Sequence, residues 1–265
     1  MVRATLLATN RVVGITRTTW FRRTLFYLLF FLLWDLVAHG RIWPDYVFPS
    51  PLDVLSSLLT GIQQGLFINA ALVSLKRLAL GYGISLVIGV LLGVLIGRFR
   101  LIEQTLGSLV LGLQTLPSVC WLPLALLWLG LNEQAVIFVV VMGAVFSITL
   151  GVEAGVKNTS PVYLKAARTL GTRGLALYTQ VIFPAAMPTI LSGLKQGWSF
   201  AWRSLLAGEL LYVSLSLGNL LQTARDFSDV AQLMAVMVVI ILLGVAIDSL
   251  IFAPLERLTR ERWGL

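Results

Sequence analysis

The sequence predicts an all-α, polytopic membrane protein with about six transmembrane helices. Hydrophobic residues make up 58% of the 265 residues and charged residues only 12%, and the mean hydropathy is +0.90. Soluble domains carry about 25% charged residues, so an ordinary soluble fold is excluded. A helix crosses a bilayer in about 17 to 25 residues. Four uncharged runs reach that length: residues 78–97, 105–131, 134–152 and 230–247.

Two further spans are interrupted by charged residues. Residues 24–38 form a run of 15 that contains Asp35, and the preceding arginines can extend it because their side chains reach back to the headgroups. We expect this run to remain as an anchor, since no small-residue cleavage site marks it as a removable signal. The other run, residues 187–213, contains three charges: Lys195, Arg203 and Glu209.

The basic residues predict that both termini lie in the cytoplasm, because loops rich in lysine and arginine stay on that side. Fourteen of the 20 basic residues fall in segments expected inside: 1–23, 98–100, 157–173 and 257–265. The outer side has Arg41 and Arg225, with Lys76 and Arg77 near the start of the second span. The formal charge of +8 therefore reflects topology and attraction to anionic lipid, and nucleic-acid binding is not expected.

These signals divide the chain into regions. A basic cytoplasmic segment (1–23) is followed by the first span with an external interfacial segment (24–66). A helical core (67–256) contains a cytoplasmic loop (157–184), and a basic cytoplasmic tail (257–265) ends the chain. A single cysteine and a single histidine cannot build an internal disulfide or a multi-histidine metal site, so neither is expected.

The external segment is expected to contain a helix over residues 51–62 that lies along the membrane surface. Ser50 can cap it, Pro51 suits its first position, and Asp53 stands where a capping-box acid reaches back. This helix is an architectural feature rather than a chemical site.

Glycines and prolines predict the shapes of the second and third spans. Gly89, Gly93 and Gly97 recur at every fourth position, which allows another helix to approach closely. The spacing leaves open whether that helix belongs to this chain or to a second copy. Pro117 and Pro123 predict that the third span is kinked or broken, so its freed backbone groups must be satisfied by protein or water.

The cytoplasmic loop from residue 157 to 184 predicts two short helices. Ser160 and Pro161 read as the cap and first residue of the first helix, and Gly171 closes it. The second helix is expected to start at Thr172 and to run until Pro184. Structured loops of this length are usually functional.

The segment KAARTLGTRGLALYTQVIFP in this loop resembles the signature loop of ATP-binding-cassette (ABC) importer permeases. The family pattern is EAA, three residues, Gly, nine residues, Ile, one residue, Leu, Pro. Lys165 replaces the glutamate, and the remaining positions match in kind: Ala166, Ala167, Gly171, Val181, Phe183 and Pro184. The segments FPSPLDV, PSVCWLPLALLWLGL, PAAMPTILSGLKQGWSFAW and AGELL look like the nitrate, sulfonate, taurine and bicarbonate branch of this family.

The resemblance implies a fold, partners and a location. The fold would be that of a type I ABC importer permease (MetI-like) in the bacterial inner membrane. Two permease copies would pair, each signature loop would dock on an ATP-hydrolysing subunit, and an external solute-binding protein would deliver a small anion. ATP and magnesium would be bound by the partner subunit, with no cofactor in this chain. In agreement, the sequence contains no G-x-x-x-x-G-K-[ST] phosphate-binding loop.

Two other classes of function are alternatives to an ABC importer permease. A membrane-embedded hydrolase would need a nucleophile with a base, or a metal site, and the sequence offers no HExxH or GxSxG motif. A secondary transporter or channel that works without an ATPase is the stronger alternative. Secondary carriers often have internal repeats, and no convincing repeat relates the two halves of this chain.

One face of the fifth span is a candidate lining of the translocation pathway. Charged side chains at bilayer depth are costly unless they are paired or face water. At 100° per residue, four residues fall within an arc of about 60°, with Ser199 beside them and Arg203 nearby. Those four are Lys195, Trp198, Trp202 and Glu209. The alternative is that these charges only hold the helix bundle together.

Overall fold

The computed structural model describes residues 2–40, 43–44 and 46–263, with the side chains of residues 20–40, 43–44 and 46–261. Within these ranges every regular element is a helix. Arg41, expected in the first external loop, and the outermost residues of both basic terminal segments lie outside the described residues.

Helix α1 (Val2–His39) is continuous, so the expected change from a basic segment to a span at residues 23 and 24 falls inside one helix. Apolar side chains on its second half are exposed, including Phe26 and Leu33. Such a long apolar surface suits contact with lipid rather than water.

The helix expected over residues 51–62 is confirmed as α2 (Pro51–Gln63). Ser50 Oγ accepts the Asp53 backbone N–H at 3.3 Å, and Asp53 Oδ2 accepts the Ser50 N–H at 3.0 Å, which completes the capping box. The Ser50 hydroxyl also donates to Asp53 Oδ2 at 2.7 Å. These bonds, the hydroxyl first and the backbone second, hold the pKa of Asp53 below its usual value because they favour the charged carboxylate.

Helix α3 (Leu66–Arg98) contains the second span and begins twelve residues earlier than the uncharged run suggested. Lys76 and Arg77, expected near its outer start, therefore lie inside the helix, and Arg77 is buried. A buried arginine is tolerated here because a carboxylate from a later helix reaches it, as described below.

The stripe of small residues on α3 packs against α7 (Glu133–Lys157) of the same chain. A Cβ atom on Gly93 would lie 2.6 Å from the Thr149 carbonyl oxygen, and one on Gly89 would lie 2.7 Å from Ile148 Cγ2. Close helix approach is therefore intrachain, which answers the question that the glycine spacing left open.

The third span is broken, as its prolines predicted. Its elements are α4 (Arg100–Ile102), a π-helical turn (Glu103–Gly107), α5 (Ser108–Gln114), a 3-10 turn (Ser118–Trp121) and α6 (Leu122–Leu129). The helix direction bends by 102° between residues 100–114 and residues 118–129. Pro117 lies at the break, whereas Pro123 stands in the first turn of α6, where a missing N–H costs nothing.

The loop expected on the cytoplasmic side contains α8 (Pro161–Thr169) and α9 (Gly174–Leu177). Helix α9 continues through a π-helical turn (Tyr178–Ile182) into α10 (Phe183–Glu209). The expected end of the second helix at Pro184 is wrong, since residues 174–209 form one continuous helix. The wider π turn just before Pro184 accommodates a residue that cannot donate a helical hydrogen bond.

The chain ends with α11 (Leu217–Asp226), α12 (Val230–Ile247), a π-helical turn (Asp248–Phe252) and α13 (Ala253–Trp263). Among the described residues, four helical stretches are long and apolar enough to cross a membrane, and the broken third span would be a fifth. The four are Leu66–Arg98, Glu133–Lys157, Gly174–Glu209 and Val230–Glu261. The membrane-spanning, all-helical class is confirmed, whereas the expected first span, in the second half of α1, is not among these stretches.

Helix α7 is the centre of the bundle, because it packs along both α3 and α10. Gly151 of α7 and Gly193 of α10 meet face to face, and a Cβ atom on Gly151 would lie only 2.5 Å from the Gly193 Cα atom. Backbone atoms cannot move aside as a flexible side chain can, so these two helices require glycine at their crossing.

We expect Gly151→Ala to destabilise the fold by about 1 to 3 kcal/mol, because overpacking forces the helices apart. The melting temperature of the purified protein measures this loss. Gly112→Ala is the matched control, since a Cβ atom on Gly112 in α5 meets nothing within 4 Å. Equal melting temperatures for Gly151→Ala and wild type would contradict the packing.

Candidate functional site

The turn between α8 and α9 is a Schellman motif, in which hydrogen bonds from beyond the helix satisfy its last carbonyl groups. The Thr172 N–H donates to the Ala167 carbonyl at 2.9 Å, and the Gly171 N–H donates to the Arg168 carbonyl at 3.0 Å. Gly171 has a φ of +86°, in the left-handed region that favours glycine. The role of Gly171 as the end of the first loop helix therefore has a direct geometric basis.

Around this turn the loop presents apolar side chains that the rest of the described residues leave uncovered. Leu170 and Leu175 are 85% and 80% exposed, and Val162 and Tyr163 are also exposed. Fully burying side chains of this size is worth about 1.5 to 3 kcal/mol each. We call these four residues the apolar knob.

A cleft of about 340 Å³ lies beside the apolar knob, between α8 and the start of α10. Four of the seven loop residues singled out in the sequence line it: Ala166, Ala167, Val181 and Pro184. Gly171 forms the turn, whereas Phe183 packs against the central core. Lys165 is exposed and makes no ion pair with any described side chain.

The candidate pathway face on α10 does not form one continuous polar surface. Near the middle of α10, Lys195 Nζ lies 3.0 Å from Asp248 Oδ1 and 3.1 Å from Glu256 Oε1. Both acids belong to the last segment of the chain, so this pair of contacts ties α10 to the region of α12 and α13. Ser199 donates to the Lys195 carbonyl at 3.2 Å within the same helix.

The two tryptophans of this face pack inside the bundle. Trp198 makes an edge-to-face contact with Tyr82, with ring centroids 5.3 Å apart, and the Tyr82 hydroxyl donates to the Leu194 carbonyl at 2.9 Å. Trp202 contacts both the core around α7 and a second core formed by α2, α3, α11 and α12. Their geometry is that of packing residues.

Glu209, the last residue of α10, is fully buried and accepts three hydrogen bonds from other elements. Ser74 Oγ donates at 2.7 Å, an Arg77 guanidinium N–H at 3.1 Å and the Gly218 N–H at 3.1 Å. Arg77 also lies 3.3 Å from Glu133 Oε1 and donates to Ser214 Oγ at 2.9 Å. This network joins α3, α7, α10 and the start of α11.

A cavity of about 150 Å³ lies where the third span breaks. Gln114, Thr115 and Ser118 from the break face Gly143 of α7 and Phe200 of α10 across it. Gln114 Oε1 is buried and has no hydrogen-bond partner among the described residues. Sequence reasoning missed this cavity, although Pro117 marked the break that creates it.

Arg203 stands apart from the other charges of α10. It is exposed, and its guanidinium carbon lies 5.9 Å from the centre of the Phe200 ring. Within the described residues it has no ion-pair partner, in contrast to Lys195 and Glu209. Phe200, which Arg203 contacts, lines the cavity at the break, whereas Arg203 itself does not.

The described residues form a bundle of membrane-spanning helices with a capped helix–turn–helix that leaves apolar side chains uncovered, which is the architecture of a polytopic membrane protein. The chain belongs to the family of binding-protein-dependent transport system inner membrane components, whose family model matches residues 85–261. It is therefore the membrane-embedded permease subunit of an ABC importer, and the resemblance read from the signature loop is confirmed.

Individual relatives agree with this assignment. The chain is 31% identical to the nitrate import permease protein of Leptolyngbya laminosa, over 84% of this chain and 83% of that protein. It is 28% identical to the taurine transport system permease protein of Escherichia coli, over 86% and 84%. The crystal structure of an amino acid ABC transporter matches with a TM-score of 0.60 at 20% identity, over 76% of this chain and 97% of that one, which shows a common fold.

Proposed function

We propose that this permease imports a small oxyanion of the nitrate, sulfonate, taurine or bicarbonate type by alternating access. The similarity to nitrate and taurine permeases supports the class of substrate. The observation that carries the transport mechanism is the apolar knob with its adjoining cleft, because an uncovered apolar surface of this size marks a protein interaction site.

The partner at the knob is a separate ATP-hydrolysing subunit that binds ATP and magnesium. Lys165, Gly171 and the cleft residues Ala166 and Val181 belong to the docking surface, and Phe183 links that surface to the core. Since residues 174–209 form one continuous helix, a push on the knob moves α10 as a unit. Motion at the ATPase therefore reaches the cavity beside Phe200.

The working unit contains two copies of this chain, two ATPase subunits and an external solute-binding protein. A single chain has its small-residue stripe already packed on its own α7, so the second copy pairs through another surface. Both termini and the knob lie in the cytoplasm of a bacterial cell, in line with the basic residues near them.

The anion passes the cavity at the break of the third span, next to Arg203. An exposed guanidinium offers an oxyanion two parallel N–H donors, and Gln114, Thr115 and Ser118 add polar groups to the lining of the cavity. Lys195, Trp198, Ser199, Trp202 and Glu209 then support the helix rather than contact the anion, because each is engaged in packing or polar contacts.

We expect Arg203→Ala to reduce uptake about tenfold or more, since a charge-assisted hydrogen bond to an anion is worth about 1.5 to 3 kcal/mol. Uptake by reconstituted complexes measures this, and Arg203→Lys should retain part of it. Trp202→Ala is expected to impair transport as well, but it also opens a gap between two cores and lowers stability. Uptake by Arg203→Ala at the wild-type rate would show that Arg203 does not contact the transported anion.

The substrate is tested by direct ligand binding to the cognate solute-binding protein, followed by competition in the uptake assay. Nitrate, taurine, an alkanesulfonate and bicarbonate form the panel. Tight binding and uptake of one of them is the expected result. Selective binding of an uncharged or cationic nutrient, with matching uptake, would overturn the assignment to oxyanions.

A further inference from the structure

A second cavity, of about 450 Å³, lies where the end of α3 meets the cytoplasmic loop. Three arginines from three different elements line it: Arg98 ends α3, Arg168 lies in the last turn of α8, and Arg173 immediately precedes α9. The rest of the lining is neutral and includes Thr172 and Tyr178. The cavity is separate from the apolar cleft and from the cavity at the broken span.

The positive charge in this cavity is uncompensated. Within the described residues no acidic side chain lines the cavity, and none of the three arginines makes an ion pair. Three like charges around one space repel each other, so the arrangement is stabilised by whatever anion enters. Lys157 and Lys195, in contrast, each contact two carboxylates.

Arg98 is held in place by aromatic rings. Its guanidinium carbon lies 4.9 Å from the centre of the Tyr178 ring and 5.3 Å from that of Phe99, both within the range of a cation–π contact. A guanidinium fixed in this way loses less conformational entropy on binding a ligand than a mobile one does. Its planar N–H donors also match the geometry of phosphate oxygens.

The location fits an anion at the membrane surface. Arg98 is the last residue of a spanning helix, and the next apolar residues, Phe99 and Leu101, are exposed. Basic pockets between spanning helices on the cytoplasmic side commonly bind anionic headgroups. The volume also admits a phosphate group with water, since one water occupies about 30 Å³ in the liquid.

We propose that Arg98, Arg168 and Arg173 form a binding site for a phosphate-type oxyanion, supplied by the headgroup of an anionic lipid or by free phosphate. The bound anion bridges the end of α3 to both helices of the cytoplasmic loop. It thereby fixes the position of the apolar knob relative to the bundle of membrane helices. The site does not depend on the identity of the transported substrate, so its failure would leave the proposed import function untouched.

The test uses the full chain assembled with its ATPase. One arm compares nanodiscs of phosphatidylcholine with and without phosphatidylglycerol, and counts retained phosphatidylglycerol by native mass spectrometry. The other arm titrates inorganic phosphate into the lipid-depleted complex in detergent and follows the melting temperature. The variants are Arg98→Gln, Arg168→Gln and Arg173→Gln, and Arg100→Gln is the matched control because Arg100 is exposed nearby and does not line the cavity.

Retained phosphatidylglycerol, or a phosphate-dependent rise in melting temperature, is the expected result. Each of the three variants should weaken that binding about fivefold, because one basic residue near an anionic surface contributes about 1 kcal/mol of binding free energy. Arg100→Gln should bind as the wild type does. A response to phosphatidylglycerol alone identifies a lipid site, and a response to inorganic phosphate identifies a site for soluble phosphate.

The proposal is overturned if neither anion binds in a way that depends on these arginines. If, in addition, the three variants lose assembly with the ATPase while Arg100→Gln keeps it, the cavity is a contact for an acidic protein surface instead. Without any anion, removing one arginine should leave the melting temperature unchanged or raise it, because repulsion is relieved. A fall in melting temperature under that condition would also count against an anion site.

Discussion

Replacing Glu209 with alanine is expected to lower the free energy of unfolding by about 3 kcal/mol, because it leaves the buried Arg77 without its main partner. Arg77 is only 4% exposed and Glu209 is fully buried. The nearby Glu133 still neutralises part of the charge, which places the loss at the lower end of the range for broken buried pairs. The melting temperature and the amount of complex in the membrane measure the effect.

Two further variants make this prediction specific. Glu256→Ala removes an acid from a partly exposed pair with Lys195, and it should cost at most about 1 kcal/mol. The double variant Arg77→Met with Glu209→Leu removes both charges and should recover much of the lost stability. A Glu209→Ala protein as stable as wild type would show that the buried network is not needed for the fold.

Gly171→Val is expected to uncouple ATP hydrolysis from transport. A Cβ atom at this position meets nothing within 4 Å, so the damage comes from the backbone, whose φ of +86° a β-branched residue resists. Strain of about 1 to 3 kcal/mol disfavours the turn that aligns α8 with α9, which reduces the population of the working knob about fivefold or more. The measurement is the number of substrate molecules imported per ATP hydrolysed.

Asparagine provides the control, because it tolerates the left-handed conformation better than other side chains. Gly171→Asn should therefore restore much of the coupling that Gly171→Val loses, at equal amounts of assembled complex. Normal coupling in Gly171→Val would show that the Schellman turn does not govern the position of the knob.

Features fixed by neighbouring residues could be predicted from the sequence. The Ser50 cap, the turn at Gly171 and the break at Pro117 each depend on local backbone chemistry, and the structure contains all three. The prediction that the second loop helix ends at Pro184 was wrong. A proline usually stops a helix, but the π turn before Pro184 lets this helix continue.

Features that join distant parts of the chain could not be predicted. Arg77 and Glu209 are separated by 132 residues, so the sequence shows two charges near apolar runs but not that they pair. The same pairing explains why α3 starts well before its uncharged run. The composition of the cavity at the broken span depends on how α7 and α10 cross, which the sequence does not state.

We propose that this permease is driven by an ATPase bound at the apolar knob. The most direct test is uptake of labelled substrate into proteoliposomes that contain the chain, its ATPase subunit and the solute-binding protein. We predict uptake only with ATP and the ATPase present, and its loss in a Leu170→Glu variant that charges the most exposed side chain of the knob. Uptake by the chain alone, driven by an ion gradient without ATP, would contradict the account and identify a secondary transporter.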